Sequence, residues 1–183
     1  MKAKTISILL LATSIIMTGC GNCSTQKGNS TEKVVSSSVA KLDIFNDINK
    51  TRQAMSTNGI GNLGEWKSNQ MGGFISITNY FQFGGGTMQN NIAYYLESEN
   101  ESHIQTAKLT LNINNKSEKK QALTKFKDLT TATFKSLSLE IPKGLIESIE
   151  TEEAFQSSND IFSTSVKLDK SKIDTWTLKI TTK

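Results

Sequence analysis

Between Leu42 and Met55 the positions Leu42, Phe45, Ile48 and Arg52 fall three or four residues apart, with Ile44 beside them. That spacing gathers them on one side of an α-helix. Asn58 to Gly64 ends it, because glycine and asparagine accept the left-handed conformations of caps and turns. The period then drops to two. From Phe74 to Phe83 the set Ile75, Ile77, Phe81 and Phe83 alternates with Ser76, Thr78, Tyr80 and Gln82, which predicts a strand with an apolar and a polar face. Ile92, Tyr94 and Leu96 share a face of a second strand. Ile104 to Asn114 makes a third, with Ala107, Leu109, Leu111 and Ile113 alternating with Thr106, Lys108, Thr110 and Asn112. Gly84-Gly85-Gly86 and Glu97 to Ser102 serve as the connections.

At Asn115 the helical period returns: Leu123, Phe126, Leu129, Thr133 and Leu137 are again three or four apart. Asn115 with Glu118 three residues later has the form of a capping pair. The β-branched run Thr130, Thr131 and Thr133 weakens the second half of this helix. Pro142 suits the first turn of another helix, on which Leu145, Ile146 and Ile149 form the apolar stripe. Two strands close the chain, Ile161 to Leu168 and Ile173 to Thr181. In the second, Trp176, Leu178 and Ile180 alternate with Thr175, Thr177 and Lys179. The order α-βββ-α(α)-ββ predicts an α+β domain over residues 41–183, an antiparallel five-stranded sheet packed on one face by helices. That order is similar to secretion-chaperone folds and to assorted immunity proteins, without any sequence motif of theirs.

The first twenty residues follow neither period. Lys2 and Lys4 open the chain, Ile6 to Met17 is an apolar run, and Gly19, Asn22 and Ser24 end it. The run is shorter than the roughly 20 residues that span a bilayer, and reads as an export signal over residues 1–19. Met17-Thr18-Gly19-Cys20 resembles the lipobox of bacterial lipoproteins, departing from it in having Met17 where leucine is usual. The resemblance implies that Cys20 becomes the first mature residue, carrying diacylglycerol and an N-linked acyl chain. It places the protein in the cell envelope, anchored to a lipid bilayer. In an organism with an outer membrane, that is its periplasmic face, since Gly21 and not aspartate follows the cysteine; otherwise it is the outer face of the cell membrane. Residues 20–40, rich in Ser, Thr, Gln, Asn and Gly, read as a flexible tether. Some 20 residues of such chain reach roughly 25 Å.

The 183 residues carry 36% hydrophobic and 21% charged side chains, a balance suited to a packed domain. The formal charge of +4 includes Lys2 and Lys4; without them 19 bases face 17 acids. So small an excess does not draw a polyanion, which argues against nucleic-acid binding. The lysines concentrate between Lys116 and Lys143 and the acids between Glu147 and Asp160. Gly59-Ile60-Gly61-Asn62-Leu63-Gly64 matches the letters of a dinucleotide-binding loop, but it follows a helix where that loop must follow a strand. Ser117-Glu118-Lys119-Lys120 has the spacing of a serine acyl-transfer motif and lacks its partner motifs. Cys20 and Cys23 have the spacing of a zinc or redox pair, without a second pair to complete it and with one thiol assigned to lipid. His103 is the single histidine and sits among Asn100, Glu101 and Ser102. No cofactor or metal ligand set emerges from these residues.

What remains is a surface that meets a protein. Glu147, Glu150 and Glu153, at every third position, form the wet face of the second helix, and Tyr80 and Tyr94 are the aromatic candidates for a contact patch. The reading is a membrane-anchored, non-enzymatic protein-binding module of the immunity or envelope-assembly accessory kind. An envelope hydrolase with carboxylate or hydroxyl chemistry, or a carrier of a small apolar ligand, are the alternatives.

Overall fold

The computed structural model describes residues 44–183. The signal, Cys20, Cys23, the tether and Leu42 lie outside them. Helix α1 (Ile48–Thr57) starts where the Asp47 carboxylate accepts the Lys50 amide at 2.9 Å. It ends at Asn58, and Gly59 (φ +81°) turns the chain away. A short strand β1 (Lys67–Ser68) follows, then β2 (Phe74–Ile77), β3 (Phe81–Phe83), β4 (Asn90–Ser98) and β5 (Thr106–Ile113). A single 3₁₀ turn (Lys116–Glu118) leads into α2 (Lys119–Ser136), then α3 (Leu145–Glu150), β6 (Phe155–Ser158), β7 (Phe162–Lys170) and β8 (Asp174–Thr182).

The α+β class and the antiparallel sheet stand, but the sheet has eight strands where five are expected. Its order is β1-β2-β4-β5-β8-β7-β6, with β3 paired to β4 alone and every pairing antiparallel. The added strands are β1 of two residues, β3 and β6, each too short to show a period of its own. The C-terminal hairpin β7–β8 docks β8 against β5, in register from Thr106–Thr181 to Ile113–Asp174. The second strand expected from the sequence, β4, is the nine-residue partner of β2, β3 and β5.

One face of the sheet carries the core. Ile92, Tyr94 and Leu96 of β4, Ala107 to Ile113 of β5 at alternate positions, and Trp176, Leu178 and Ile180 of β8 are buried there under α2. Phe126 tilts against Trp176 at 6.0 Å between ring centroids, and Phe134 against Phe162 at 6.5 Å. α1 packs on α2, where Ser136 Oγ donates to the Ala54 carbonyl. The opposite face bears Thr106, Lys108, Thr110, Asn112, Thr175 and Thr177, half-buried among one another.

The segment Phe74–Phe83 departs from the expected single strand. Ile77 lies opposite Tyr95, but Phe81 lies opposite Ile92, so four steps along one strand match three along β4. The surplus residue is a β-bulge between Thr78 and Phe81, and a one-residue offset exchanges the two faces of a strand. On β2 and at the residue after it the polar members point inward: Ser76 and Thr78 are buried at 1% and 2% exposure, while Ile75 and Ile77 share the open face with Tyr95. Two hydrogen bonds make the inversion tolerable: Ser76 Oγ donates to the Gly64 carbonyl (2.6 Å) and Thr78 Oγ1 accepts the Tyr94 amide (3.0 Å). Past the bulge, Phe81 and Phe83 turn to the helix side, in line with Ile92 and Asn90.

The expected helices need smaller corrections. Asn115 does cap, its side chain accepting the Ser117 amide, but the Glu118 carboxylate goes to Gly85 instead of back to Asn115. Pro142 stands before α3, in the turn that its carbonyl closes with the Leu145 amide at 3.1 Å; Gly144 (φ +87°) is the N-cap. Among the described residues no helix is long and apolar enough to cross a membrane.

Candidate functional site

Two surfaces grow out of the bulge. On the helix side, Phe81 and Phe83 floor a cleft of about 830 Å³ between β3 and α2. Its far wall is the α2 stretch Lys120, Gln121, Thr124, Lys125 and Asp128, and Gly59, Ile60 and Leu129 close one end. Phe81 is 40% exposed although its ring rests on Gly61, where φ is +111° and a Cβ would drive into the ring. That contact, and not a dinucleotide, explains Gly61. The chain arrives from α1 and continues toward β1, so no strand–loop–helix cradle for a pyrophosphate is formed.

The other end of the cleft is tied down by the glycine run. Gly85 N donates to Glu118 Oε1 at 2.9 Å, Gln89 Nε2 to the Gly84 carbonyl at 3.1 Å, and Asn115 Nδ2 to the Gly85 carbonyl at 3.3 Å. Glu118 Oε2 is shut away from solvent without a hydrogen-bond partner. A Cβ on Gly84 (φ +91°) would land inside that carboxylate, so this position needs glycine for both its conformation and its clearance. Ser117 of the acyl-transfer spacing lies at the rim of the cleft, its hydroxyl bonded to Asn115 Oδ1 at 2.7 Å.

Lys120 and Lys125 are exposed and have no ion-pair partner among the described residues. The neighbouring lysines are taken up: Lys119 pairs with Glu152, and Lys127 reaches Glu150 at 2.6 Å. The charge segregation along the chain thus closes two ion pairs that join α2 to α3 and the turn after it. The hydrogen bond to Glu150 raises the pKa of Lys127. Lys116 and Lys119 also face Asp174 at 3.8 and 3.9 Å.

That seam reshapes the expected acidic patch. Glu147 is exposed on α3, Glu150 is engaged by Lys127, and Glu153 falls beyond the helix, which ends at Glu150. Glu152 (φ +59°) breaks the helical period between them, so the three carboxylates do not share one helix face.

The tyrosines divide. Tyr94 is buried at 1% exposure and cannot meet a partner; burial also raises its pKa above the ordinary phenol value. Its alternation with Ile92 and Leu96 was the signal that it points inward. Tyr80, beside the bulge, is 55% exposed, and its hydroxyl bonds that of Tyr95 at 2.7 Å. Lys108 Nζ stands 4.3 Å from the Tyr95 ring centroid and pairs with Glu97. Burial, the Tyr80 hydrogen bond and the nearby negative charge all raise the Tyr95 pKa. Tyr80, Tyr95, Ile75 and Ile77 thus make a second patch, on the open face.

His103 lies beyond the end of β4, with Nδ1 3.2 Å from Ser102 Oγ, at the opposite end of that strand from the cleft. Among the described residues no three of His, Cys, Asp and Glu converge as a metal site requires. Comparison with protein-family models, curated proteins and solved structures finds no match to this chain.

Proposed function

We propose that the protein is a lipid-tethered binding module of the cell envelope, without catalytic activity, and that the cleft between β3 and α2 is where it holds its partner. The observation that carries the reading is the make-up of that cleft: two phenylalanines on the floor, Lys120, Lys125 and Asp128 on the wall without ion-pair partners among the described residues, and the Glu118 carboxylate accepting a backbone amide. A few charged groups around an apolar floor suit recognition, which needs orientation and desolvation together. The resemblance of Met17-Thr18-Gly19-Cys20 to a lipobox supports the anchor, and the polar stretch after it supports a domain free to turn toward a protein of the same compartment. A toxin-neutralising protein and an accessory of an envelope assembly both fit this role. The apolar floor favours one second reading, a carrier of a small apolar ligand.

The test joins anchor and cleft. Cys20→Ala is expected to release the protein from membranes and to remove the acyl mass; unchanged fractionation and mass overturn the anchor. Thr124→Trp places an indole from an exposed helix position into the cleft. The wild-type chain, solubilised and tagged, is expected to retain one stoichiometric protein that the Trp variant loses. A partner held equally by both overturns the placement at the cleft, and a defined apolar ligand recovered in its stead favours the carrier.

A further inference from the structure

β3 is held on one side only. Three residue pairs join it to β4, from Phe81–Ile92 to Phe83–Asn90, and its other edge bears no strand among the described residues. Both of its ends are pliant: the bulge precedes it, and Gly84 (φ +91°) and Gly86 (φ +87°) follow it. Across the cleft it is fastened to the head of α2 by Glu118, whose Oε1 accepts the Gly85 amide at 2.9 Å. Asn115 Nδ2 adds a longer bond to the Gly85 carbonyl, at 3.3 Å. Glu118 gives its own helix no side-chain cap. Its Oε2 is closed off from solvent against Gly84, with no hydrogen-bond partner. A charge-assisted hydrogen bond and the burial of a charged oxygen left bare are contributions of like size and opposite sign. The fastened state is therefore near balance, and a carboxylate that swings into water recovers the hydration that the closed one forgoes.

We propose that Glu118 and Gly85 form a releasable clamp across one end of the cleft. Closed, it sets the spacing of β3 from α2; released, it lets β3 swing outward between the bulge and the glycine run, and uncovers the half-buried Phe83. This rests on the cleft being the binding surface, whose resting width the clamp sets. Gly84 belongs to the device as much as Glu118 does, since a Cβ there would take the place of the carboxylate.

The test compares Glu118→Ala, which removes the clamp, with Glu118→Gln, which keeps an oxygen for Gly85 and replaces the bare one by an uncharged amide. Backbone amide exchange and hydroxyl-radical footprinting are read on the full chain in detergent, and neither needs a ligand. In Glu118→Ala, exchange within Phe81–Phe83 is expected to quicken about tenfold and Phe83 to be oxidised several-fold faster, while Phe126 and Phe134 in the core stay protected. In Glu118→Gln, exchange at β3 is expected to be no faster than in the wild-type chain. Unaltered exchange and oxidation in Glu118→Ala overturn the clamp, and so does a Glu118→Gln chain as loose as Glu118→Ala. Oxidation that spreads to Phe126 and Phe134 overturns it as well, because the carboxylate then supports the whole domain instead of one strand. The failures stay separate: capture lost in Thr124→Trp with the clamp disproved leaves the binding surface in place, and a working clamp with capture unaffected by Thr124→Trp leaves the motion without that surface.

Discussion

At the scale of single residues, neighbouring tyrosines show how a strand assigns opposite fates to adjacent side chains. Tyr94 fills the helix-covered face and Tyr95 lies on the open one under Lys108 and beside Tyr80. Both phenols are harder to ionise than an exposed tyrosine, chiefly because burial disfavours the phenolate. Unfolding returns them to an ordinary pKa of about 10. Above that pH the unfolded chain has lost protons that the folded chain keeps, so the folded state binds more protons and stability declines as pH rises further. Phenolate absorbance is expected to show the Tyr94 and Tyr95 phenols failing to titrate in the ordinary range while the protein stays folded. Tyr95→Phe is expected to leave only one such group and to flatten the alkaline loss of stability. A titration in which Tyr94 and Tyr95 ionise in the ordinary range below the unfolding pH contradicts this arrangement. The same scale holds the contact least legible in the sequence: Glu118 looks like a capping residue for its own helix, and only the closed-up chain brings Gly85 to it from 33 positions away.

At the scale of elements, legibility followed the regularity of the burial. β5 and β8 alternate cleanly because each is covered on one face along its whole length, and the sequence announced both. The main helix was equally plain, since Phe126, Leu129, Thr133 and Leu137 all reach the buried side. β2 was read inside out. Its inward residues are hydroxyl-bearing and satisfied by backbone groups, so polarity ceased to mark the wet face. The bulge leaves only a faint compositional trace: Asn79 disfavours a strand, whereas Thr78, Tyr80 and Phe81 suit an unbroken one. It nevertheless bears on the cleft, because across the extra residue Phe81 and Phe83 face α2 while Ile75 and Ile77, an even number of positions before them, face the open side. Deleting Asn79 is expected to straighten the strand into one continuous register in which Phe81 still lies opposite Ile92, so both rings keep the helix side and partner capture persists. Loss of capture in that variant with the urea midpoint unchanged means that the bulged residue itself, and not the direction of the rings, makes the site.

At the scale of the whole described domain, the sheet interleaves the two halves of the chain. β8, from the C-terminal hairpin, is hydrogen-bonded to β5 along its full length, and both helices of the α2–α3 stretch lie between them in sequence. β4 and β5 cannot bury their apolar face without α2, and α2 cannot bury Phe126 without Trp176 of β8. Such mutual dependence makes partial unfolding costly and favours a single cooperative transition. The two tryptophans of the chain provide the check. Trp66 stacks on Phe74 at the β1–β2 edge with its ring centroid 6.2 Å away, and Trp176 is enclosed in the core. Single-tryptophan variants, Trp66→Phe and Trp176→Phe, each report one of these places by fluorescence. In each variant the fluorescence transition is expected to coincide with loss of far-UV circular dichroism, with Trp176→Phe shifted to lower denaturant because it removes core volume. A chain stopped after Glu153, which leaves β5 with a bare apolar edge, is expected to remain unfolded. An independent early transition at Trp66 identifies the β1–β2 edge, at the far end of β4 from the cleft, as a separate unit that opens while the core beneath Trp176 stays closed.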